Sequence, residues 1–175
     1  RTQWHQDLGV VTEEADESEM LTVWLPITES TEENGCLTVV PKSHKHGLDQ
    51  HCIMGDNGKT GIPDKDISGD QVPLPMKPGD VLFMTKYTQH GSLENLSDTI
   101  RWSLDLRYNP IGDATGRPWF PGFIARSLEK PETELNETTC LQCGAVQYSK
   151  IVKIDSEINQ GKNQDNHKNP RRKAV

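Results

Sequence analysis

The sequence predicts a mainly all-β protein, built as a sandwich or a barrel, and two observations lead to this prediction. Short runs rich in β-forming residues alternate with turn signals, as in MLTVWLPI (20–27), GCLTVVP (35–41) and KPGDVLFM (77–84). A helical period of 3.6 residues is hard to find before residue 124. Short strands with turns between them are typical of β-sandwiches and barrels.

Two β-hairpins are expected along the chain. The runs 20–27 and 35–41 flank the turn TEENG and are interpreted as the first hairpin. The second would join HGSL (90–93) to TIRWSLDLRY (99–108) through the turn ENLSD. Residues 42–76 show little periodicity, so we expect a long loop that contains at most short pieces of structure.

The composition limits the size and the partners of the protein. A chain of 175 residues has room for one domain with a hydrophobic core. Only 33% of the residues are hydrophobic, so part of the length is expected to be loop or tail. The net charge of −7 argues against nucleic acid as a partner, because phosphate binding needs a basic surface. No run approaches the roughly 18 apolar residues of a membrane helix and no secretory leader is recognisable, so we expect a cytoplasmic protein without a membrane partner.

The four cysteines are too few and too scattered for a disulfide scaffold, and reduced thiols are expected. Cys140 and Cys143 have half the spacing of a zinc site. No second pair follows them, so we do not expect them to bind a metal ion.

His5 and Asp7 are the first candidate metal ligands. On a strand, residues i and i+2 point to the same face about 7 Å apart, so these two side chains would converge while Trp4 and Gln6 face the other way. Two polar residues at a strand end would explain the pattern equally well. A third ligand must come from far along the chain, and His90 is the best candidate.

The second predicted hairpin supplies the argument for His90. If Glu94 faces Thr99, then Ser92 lies opposite Arg101, and His90 is two positions further along the same face. Two histidines and one carboxylate leave positions of an octahedral ion open, which suits Fe(II) working on O₂. Arg101 is a rigid fork for a carboxylate, and Ser92 can donate a hydrogen bond to the same group. This face would therefore seat a dicarboxylic cosubstrate whose other end chelates the iron.

Plainer interpretations exist for the same residues. Arg101 could pair with Asp105 or Glu94, and His90 could be an ordinary strand histidine. A lone strand usually turns its polar side to solvent. In the iron interpretation the polar side instead faces the mouth of the barrel, and the apolar side packs under a covering layer. The polar side carries Arg101, Ser103, Asp105 and Arg107, and the apolar side carries Ile100, Trp102, Leu104, Leu106 and Tyr108.

Together these residues resemble the phytanoyl-CoA dioxygenase family of Fe(II)/2-oxoglutarate oxygenases. The resemblance covers roughly residues 2–127 and implies a double-stranded β-helix, or jelly roll (cupin-like), in agreement with the all-β prediction. It also implies the cofactors Fe(II), 2-oxoglutarate and O₂, and hydroxylation of a C–H bond in a small-molecule or acyl substrate with succinate and CO₂ as co-products. It rests on WHQD, TVWLPI, ENGCLTVVPKSH, PGDVLF and HGSLENLSDTIRWSLDLRY, in that order.

The resemblance assigns roles to individual residues. Arg101 would hold the distal carboxylate of 2-oxoglutarate, with Ser92 assisting. Trp24 is similar to a tryptophan that lines the cosubstrate pocket in the family, although an ordinary core tryptophan explains it as well. No catalytic residue is expected beyond the metal centre. The iron ligands would be His5, Asp7 and His90.

The sequence PKSH (41–44) stands where the family commonly has PGSH. We interpret His44 as structural, and His46 and His51 as loop residues. A third ligand at His44 instead of His90 would contradict the hairpin argument.

The family normally has strands and helices before the H-x-D motif, whereas only four residues precede His5 here. We therefore expect residues 1–128 to be an N-terminally truncated jelly-roll core that keeps the full ligand set but could be inactive alone. Residues 129–175 show no resemblance and are expected to form a divergent, poorly structured C-terminal tail. Within it, residues 159–175 are expected to be disordered, because they lack aromatics and are mostly polar.

Two other classes of function stay open at this point. A metal-dependent cupin-type isomerase or lyase would keep the metal ligands but would not need Arg101 as a carboxylate seat. A non-catalytic jelly-roll binding module would not need His5, Asp7 and His90 to converge. The distance between those three side chains discriminates most directly, while the sequence defines neither the substrate nor the oligomeric state.

Overall fold

The computed structural model describes residues 1–54, 59–119 and 122–135, together with the backbone of 151–154. Within these residues the chain forms strands and short 3₁₀ turns, which confirms the all-β prediction. None of the helices in these ranges is long and apolar enough to cross a membrane. The strands are β1 (Leu21–Pro26), β2 (Leu37–Val39), β3 (Cys52–Met54), β4 (Lys59–Gly61), β5 (Val72–Leu74), β6 (Leu82–Thr85), β7 (His90–Ser92), β8 (Ser103–Pro110), β9 (Phe123–Arg126) and β10 (Ile151–Ile154).

The strands are arranged in two main sheets and one separate hairpin. The larger sheet has the order β6-β1-β8-β10-β9, the smaller has the order β5-β2-β7, and β3 pairs with β4. A buried cluster of Trp24, Leu37 and Met84 joins the two main sheets, because Leu37 belongs to the smaller sheet and the other two to the larger. Two packed sheets of mostly antiparallel strands agree with the expected jelly roll.

Both predicted hairpins are wrong, although all four strands exist. β1 pairs with β6 and β8, whereas β2 pairs with β5 and β7 in the other sheet. β7 and β8 also lie in different sheets, so the short connections here lead from one sheet to the other instead of folding a strand back onto its neighbour. The turn ENLSD is held by a side chain, since Asn95 donates to the Thr99 carbonyl at 2.7 Å and accepts from the Ser97 amide at 2.9 Å.

The long stretch 42–76 is mostly irregular, as expected, and contains β3, β4, β5 and two 3₁₀ turns. Its middle anchors the beginning of the chain. The Ile62 amide donates to the Trp4 carbonyl at 2.7 Å, and both side chains pack with Val40 in a buried cluster. This packing fixes the backbone next to His5 against the body of the protein.

The C-terminal half of β8 turns its polar side inward, in the orientation that the iron interpretation required, whereas Asp105 on the same side is exposed. Arg107 and Asn109 are buried, whereas Leu104 is 47% exposed. The expected covering layer over the apolar side is not found among the described residues, since Ile100 and Trp102 just before β8 are 70% and 60% exposed. The inner side of β8 faces the site, and its outer side is only partly covered by the residues that the structure describes.

The C-terminal region is described only in part. β10 lies within the predicted extension and pairs in parallel with β8 and β9. The domain boundary at residue 128 stays a prediction. The stretch 159–175 and the cysteines Cys140 and Cys143 lie outside the described residues. Among the described residues, Cys36 and Cys52 form no disulfide.

Candidate metal centre

The backbone around Gln6 directs His5 and Asp7 to the same side. His5 forms an isolated antiparallel bridge with His90, and their amides and carbonyls exchange two hydrogen bonds of 2.9 Å. Gln6 is extended, with φ −112° and ψ 139°, so the side chains on either side of it point the same way. Asp7 already begins the 3₁₀ turn Asp7–Val10. The predicted convergence therefore holds, although only a single bridged residue of true strand is involved.

The three predicted ligands meet in space. One nitrogen from His5, one nitrogen from His90 and one carboxylate oxygen of Asp7 all lie within 4.8 Å of one another. The two imidazole centroids are 4.2 Å apart, and Nε2 of His5 is 3.8 Å from Oδ1 of Asp7. Two imidazole nitrogens and a carboxylate oxygen grouped this closely are able to hold one shared metal ion.

Backbone carbonyls orient both imidazoles. Nδ1 of His5 is 2.8 Å from the Gln3 carbonyl, and Nδ1 of His90 is 2.9 Å from the Thr88 carbonyl. A carbonyl oxygen can only accept, so each Nδ1 carries the proton and each Nε2 offers its lone pair. Burial, reinforced by the neighbouring His90, lowers the pKa of His5 to about 4, so His5 is neutral at physiological pH. A neutral histidine fixed in this tautomer is typical of a metal ligand.

Asp7 is fully buried and stays ionised because of two neighbours that sequence reasoning missed. Nη2 of Arg107 donates to Oδ1 at 2.5 Å, and the Thr22 hydroxyl donates to Oδ2. Burial alone would raise the pKa of Asp7, but the guanidinium of Arg107 and these hydrogen bonds outweigh it and hold the pKa below its usual range. The signal for Arg107 was its place on the inward side of β8, in step with Arg101 and Ser103.

Arg101 lies beside Trp24. Its guanidinium carbon is 5.4 Å from the centroid of the tryptophan ring. Nε donates to the Gly35 carbonyl at 2.9 Å, and Nη1 donates to Oγ of Ser103 at 3.2 Å. Among the described residues Nη2 has no protein acceptor. Two bonds thus fix the plane of the guanidinium and leave part of its fork available to an anion.

Ser92 does not lie opposite Arg101, and this part of the hairpin argument is wrong. Its cross-strand neighbour is Leu37 in the smaller sheet, and its Oγ accepts a hydrogen bond of 2.7 Å from the Thr2 amide. The hydroxyl that contacts Arg101 belongs to Ser103. His90 reaches the cluster through its bridge to His5, not through the predicted hairpin, so the hairpin argument does not explain its position.

The loop histidines divide into two groups. His44 and His46 are exposed, and neither joins the cluster. His51 contacts the ligand-bearing segment, because its Nε2 accepts a hydrogen bond of 2.9 Å from the Gln6 amide. The interpretation of His51 as a plain loop residue missed this contact.

Comparisons with known proteins show which family the chain resembles. The phytanoyl-CoA dioxygenase family model matches residues 1–103. The chain is 32% identical over 115 residues to methylphosphonate hydroxylase from Gimesia maris, which covers 65% of this chain and 42% of that protein. It is 34% identical over 130 residues to phytanoyl-CoA dioxygenase from Arabidopsis thaliana, which covers 73% of this chain and 44% of that protein. The chain thus spans less than half the length of these relatives.

A solved structure supports the fold. The crystal structure of EvdO2 from Micromonospora carbonacea var. aurantiaca complexed with 2-oxoglutarate matches with a TM-score of 0.52 and 25% sequence identity, over 67% of this chain and 50% of that chain. Another EvdO2 structure matches with a TM-score of 0.50 and 28% identity, over 61% of this chain and 42% of that chain. The fold is therefore the expected jelly roll.

Proposed function

Because the chain belongs to the phytanoyl-CoA dioxygenase family, we propose that it carries the metal centre of an Fe(II)- and 2-oxoglutarate-dependent dioxygenase that hydroxylates a C–H bond. The observation that carries this proposal is the convergence of His5, Asp7 and His90 within 4.8 Å. Two imidazoles and one carboxylate would leave other positions of the ion open, which suits Fe(II) in oxygenases.

The residues of the cluster fit this metal. His5 and His90 would each bind through Nε2, because each Nδ1 is already bonded to a backbone carbonyl. Asp7 would supply the negative charge, and Arg107 and Thr22 would hold its carboxylate in one orientation. When bound, Fe(II) with O₂ and 2-oxoglutarate supplies the oxidant for the C–H bond, and the cosubstrate leaves as succinate and CO₂.

Arg101 would orient 2-oxoglutarate through its distal carboxylate. Its bonds to Gly35 and Ser103 hold the guanidinium plane in place, so little rotational freedom is lost when an anion binds. Trp24 would line the same pocket. Ser92 could assist only by donating its own hydroxyl proton, since its Oγ already accepts from Thr2.

We propose a small-molecule or acyl substrate. The two relatives described above carry the names of a methylphosphonate hydroxylase and a phytanoyl-CoA dioxygenase, whose substrates differ widely in size and charge. These names support the reaction class more strongly than any single substrate.

The test is Fe(II)-dependent turnover of 2-oxoglutarate. The purified chain, loaded with Fe(II) under argon and then exposed to O₂, should convert 2-oxoglutarate to succinate and CO₂, and an Asp7→Ala variant should not. A longer form of the protein would serve as a second sample. Absence of turnover in both forms with metal bound would contradict the proposal. An Arg101→Ala variant that keeps activity without 2-oxoglutarate would favour an isomerase or lyase instead.

A further inference from the structure

Two buried glutamine side chains stand next to the proposed ligands in the sequence. Gln6 separates His5 from Asp7, and Gln89 immediately precedes His90. Gln6 is 0% exposed and Gln89 is 1% exposed. A buried amide costs free energy unless it is hydrogen-bonded, so the partners of these two side chains restrict where the ligand segments can lie.

The side-chain amide of Gln6 forms three hydrogen bonds, two to the loop Gly47–His51 and one to Tyr87. Its Nε2 donates to the Gly47 carbonyl at 2.7 Å and to the Tyr87 carbonyl at 2.8 Å. Its Oε1 accepts from the Asp49 amide at 2.7 Å. One side chain therefore connects the His5–Asp7 segment to this loop and to the segment that leads to His90.

Asp49 connects both glutamines. Its backbone amide holds Gln6, and its Oδ2 accepts a hydrogen bond of 2.6 Å from Nε2 of Gln89. Oε1 of Gln89 is buried and has no hydrogen-bond partner among the described residues. Within those residues, the bond from Nε2 to the Asp49 carboxylate is therefore the one hydrogen bond of the Gln89 side-chain amide. Loss of that carboxylate would leave the whole Gln89 amide buried without a hydrogen bond.

His51 completes the connection through the backbone. Its Nε2 accepts from the Gln6 amide at 2.9 Å, and its Nδ1 is 2.9 Å from the Asp49 carbonyl. Since an amide can only donate, Nε2 is unprotonated and Nδ1 donates to the carbonyl. The ring also fills the space above Gly9, where an added Cβ would lie 2.1 Å from a ring atom.

We propose that the loop Gly47–His51, acting through Asp49, is a positioning element for the metal centre. It bonds to residues adjacent to all three ligands, so it would hold in place the two segments that the His5–His90 bridge already brings together. Metal binding and the order of the loop are then coupled, and each favours the other by the same factor. This inference rests on the proposed function, because it needs the cluster to bind a metal ion.

The first experiment titrates the full chain with Co(II) alone and records the visible d–d absorption, which reports coordination geometry. Removal of residues that orient metal ligands typically weakens metal affinity about 10- to 100-fold, and this loss is expected for Asp49→Ala, with an altered absorption spectrum. Asp49→Asn keeps an acceptor for Gln89 and should remain within about 3-fold of the wild type. Asp70→Ala removes the same charge from an exposed position and should change neither affinity nor spectrum.

Two results would separate the claims. A wild-type chain that does not bind Co(II) would overturn the proposed function and this inference with it. Wild-type binding together with unchanged affinity and spectrum in Asp49→Ala would overturn the inference alone.

A second experiment needs no variant and therefore does not depend on whether Asp49→Ala folds. Amide hydrogen exchange of the wild-type chain is followed with and without saturating Co(II). Coupling predicts at least about 10-fold slower exchange in residues 47–51 when metal is bound, whereas the β5 amides should be unaffected. Unchanged exchange in 47–51, with metal bound at the cluster, would contradict the proposal.

Discussion

The metal cluster of His5, Asp7 and His90 and the proposed cosubstrate site around Arg101, here called the Arg101 seat, both use inward-facing polar side chains. These side chains are held in different ways at the two sites. In the cluster, Asp7 is fully buried and both of its oxygens are bonded, and each imidazole is fixed by a backbone carbonyl. In the seat, Arg101 is half-buried, rests against Trp24 and has no carboxylate partner among the described residues. The cluster carries its own counter-charge, whereas the seat has a cationic group ready for an anion.

The two sites therefore depend on the rest of the fold in different ways. The cluster needs a neutralising arginine because a buried carboxylate without one would be costly. The seat can remain open because solvent still reaches part of Arg101. Changes near the cluster should therefore alter both stability and metal binding, and changes in the seat should alter cosubstrate binding alone.

The largest effect is expected from Arg107→Ala. This change leaves the Asp7 carboxylate buried without its guanidinium, which should lower the free energy of unfolding by about 3–5 kcal/mol. Urea unfolding of the metal-free chain measures it. Arg126→Ala is the control, because its contact with Glu134 is long at 3.8 Å and its side chain is 70% exposed, so a change within about 0.5 kcal/mol is expected. If Arg107→Ala and Arg126→Ala lowered the free energy of unfolding equally, the claim that buried Asp7 needs its arginine would be contradicted.

The second-largest effect is expected from a fall in pH, which should lower the free energy of unfolding. The pKa of His5 is about 4 in the folded chain against 6.5 in the unfolded chain. Between these values the unfolded state binds more protons, so the stability of the metal-free chain should fall by roughly 2–3 kcal/mol as the pH drops from 7 to 4.5. The depressed pKa of Asp7 adds a further loss only below its unfolded value near 3.8. Denaturant unfolding at several pH values measures the slope, and a His5→Gln variant with the same slope would argue against this cause.

In the seat, Arg101→Ala should leave metal affinity unchanged and weaken the binding of 2-oxoglutarate. Hydrogen bonds to a charged group contribute about 1.5–3 kcal/mol, which corresponds to a loss of roughly 10- to 100-fold in cosubstrate affinity. Calorimetric titration of the Co(II)-loaded chain with 2-oxoglutarate measures it. Unchanged 2-oxoglutarate affinity would place the carboxylate seat elsewhere.

The smallest effect distinguishes the two serines. Ser103 contacts Arg101, whereas Ser92 accepts a hydrogen bond from the Thr2 amide. Ser103→Ala should therefore weaken 2-oxoglutarate binding about 2- to 10-fold, and Ser92→Ala should weaken it less. The same titration compares them. A larger loss for Ser92→Ala would restore the sequence-based assignment of Ser92 as the assisting hydroxyl.

The sequence predicted that His5 and Asp7 point to the same side and that Arg107 faces inward, because both features depend on the period of two along extended backbone. That period puts His5 and Asp7 on one side of Gln6, and it puts Arg101, Ser103 and Arg107 on one side of β8 and the segment before it. It carries no information about which strands pair. For this reason the hairpins were wrong and Ser92 was placed beside Arg101.

The neighbours of the cluster could not be predicted from local pattern. Thr22 meets Asp7 because β1 lies next to β8, where Thr22 pairs with Arg107 across 85 positions of sequence. Asp49 and His51 lie in a stretch without periodicity, so only the folded chain reveals that they hold Gln6 and Gln89.

The most direct test of the central claim is visible absorption of the chain with Fe(II) and 2-oxoglutarate under argon. A 2-oxo acid that chelates Fe(II) gives a charge-transfer band that neither component gives alone. The wild-type chain should show this band, Arg101→Ala should need a higher 2-oxoglutarate concentration to reach it, and His90→Ala should lack it. A wild-type chain that binds Fe(II) yet shows no band at saturating 2-oxoglutarate would contradict the assignment of His5, Asp7 and His90 as an oxygenase metal centre.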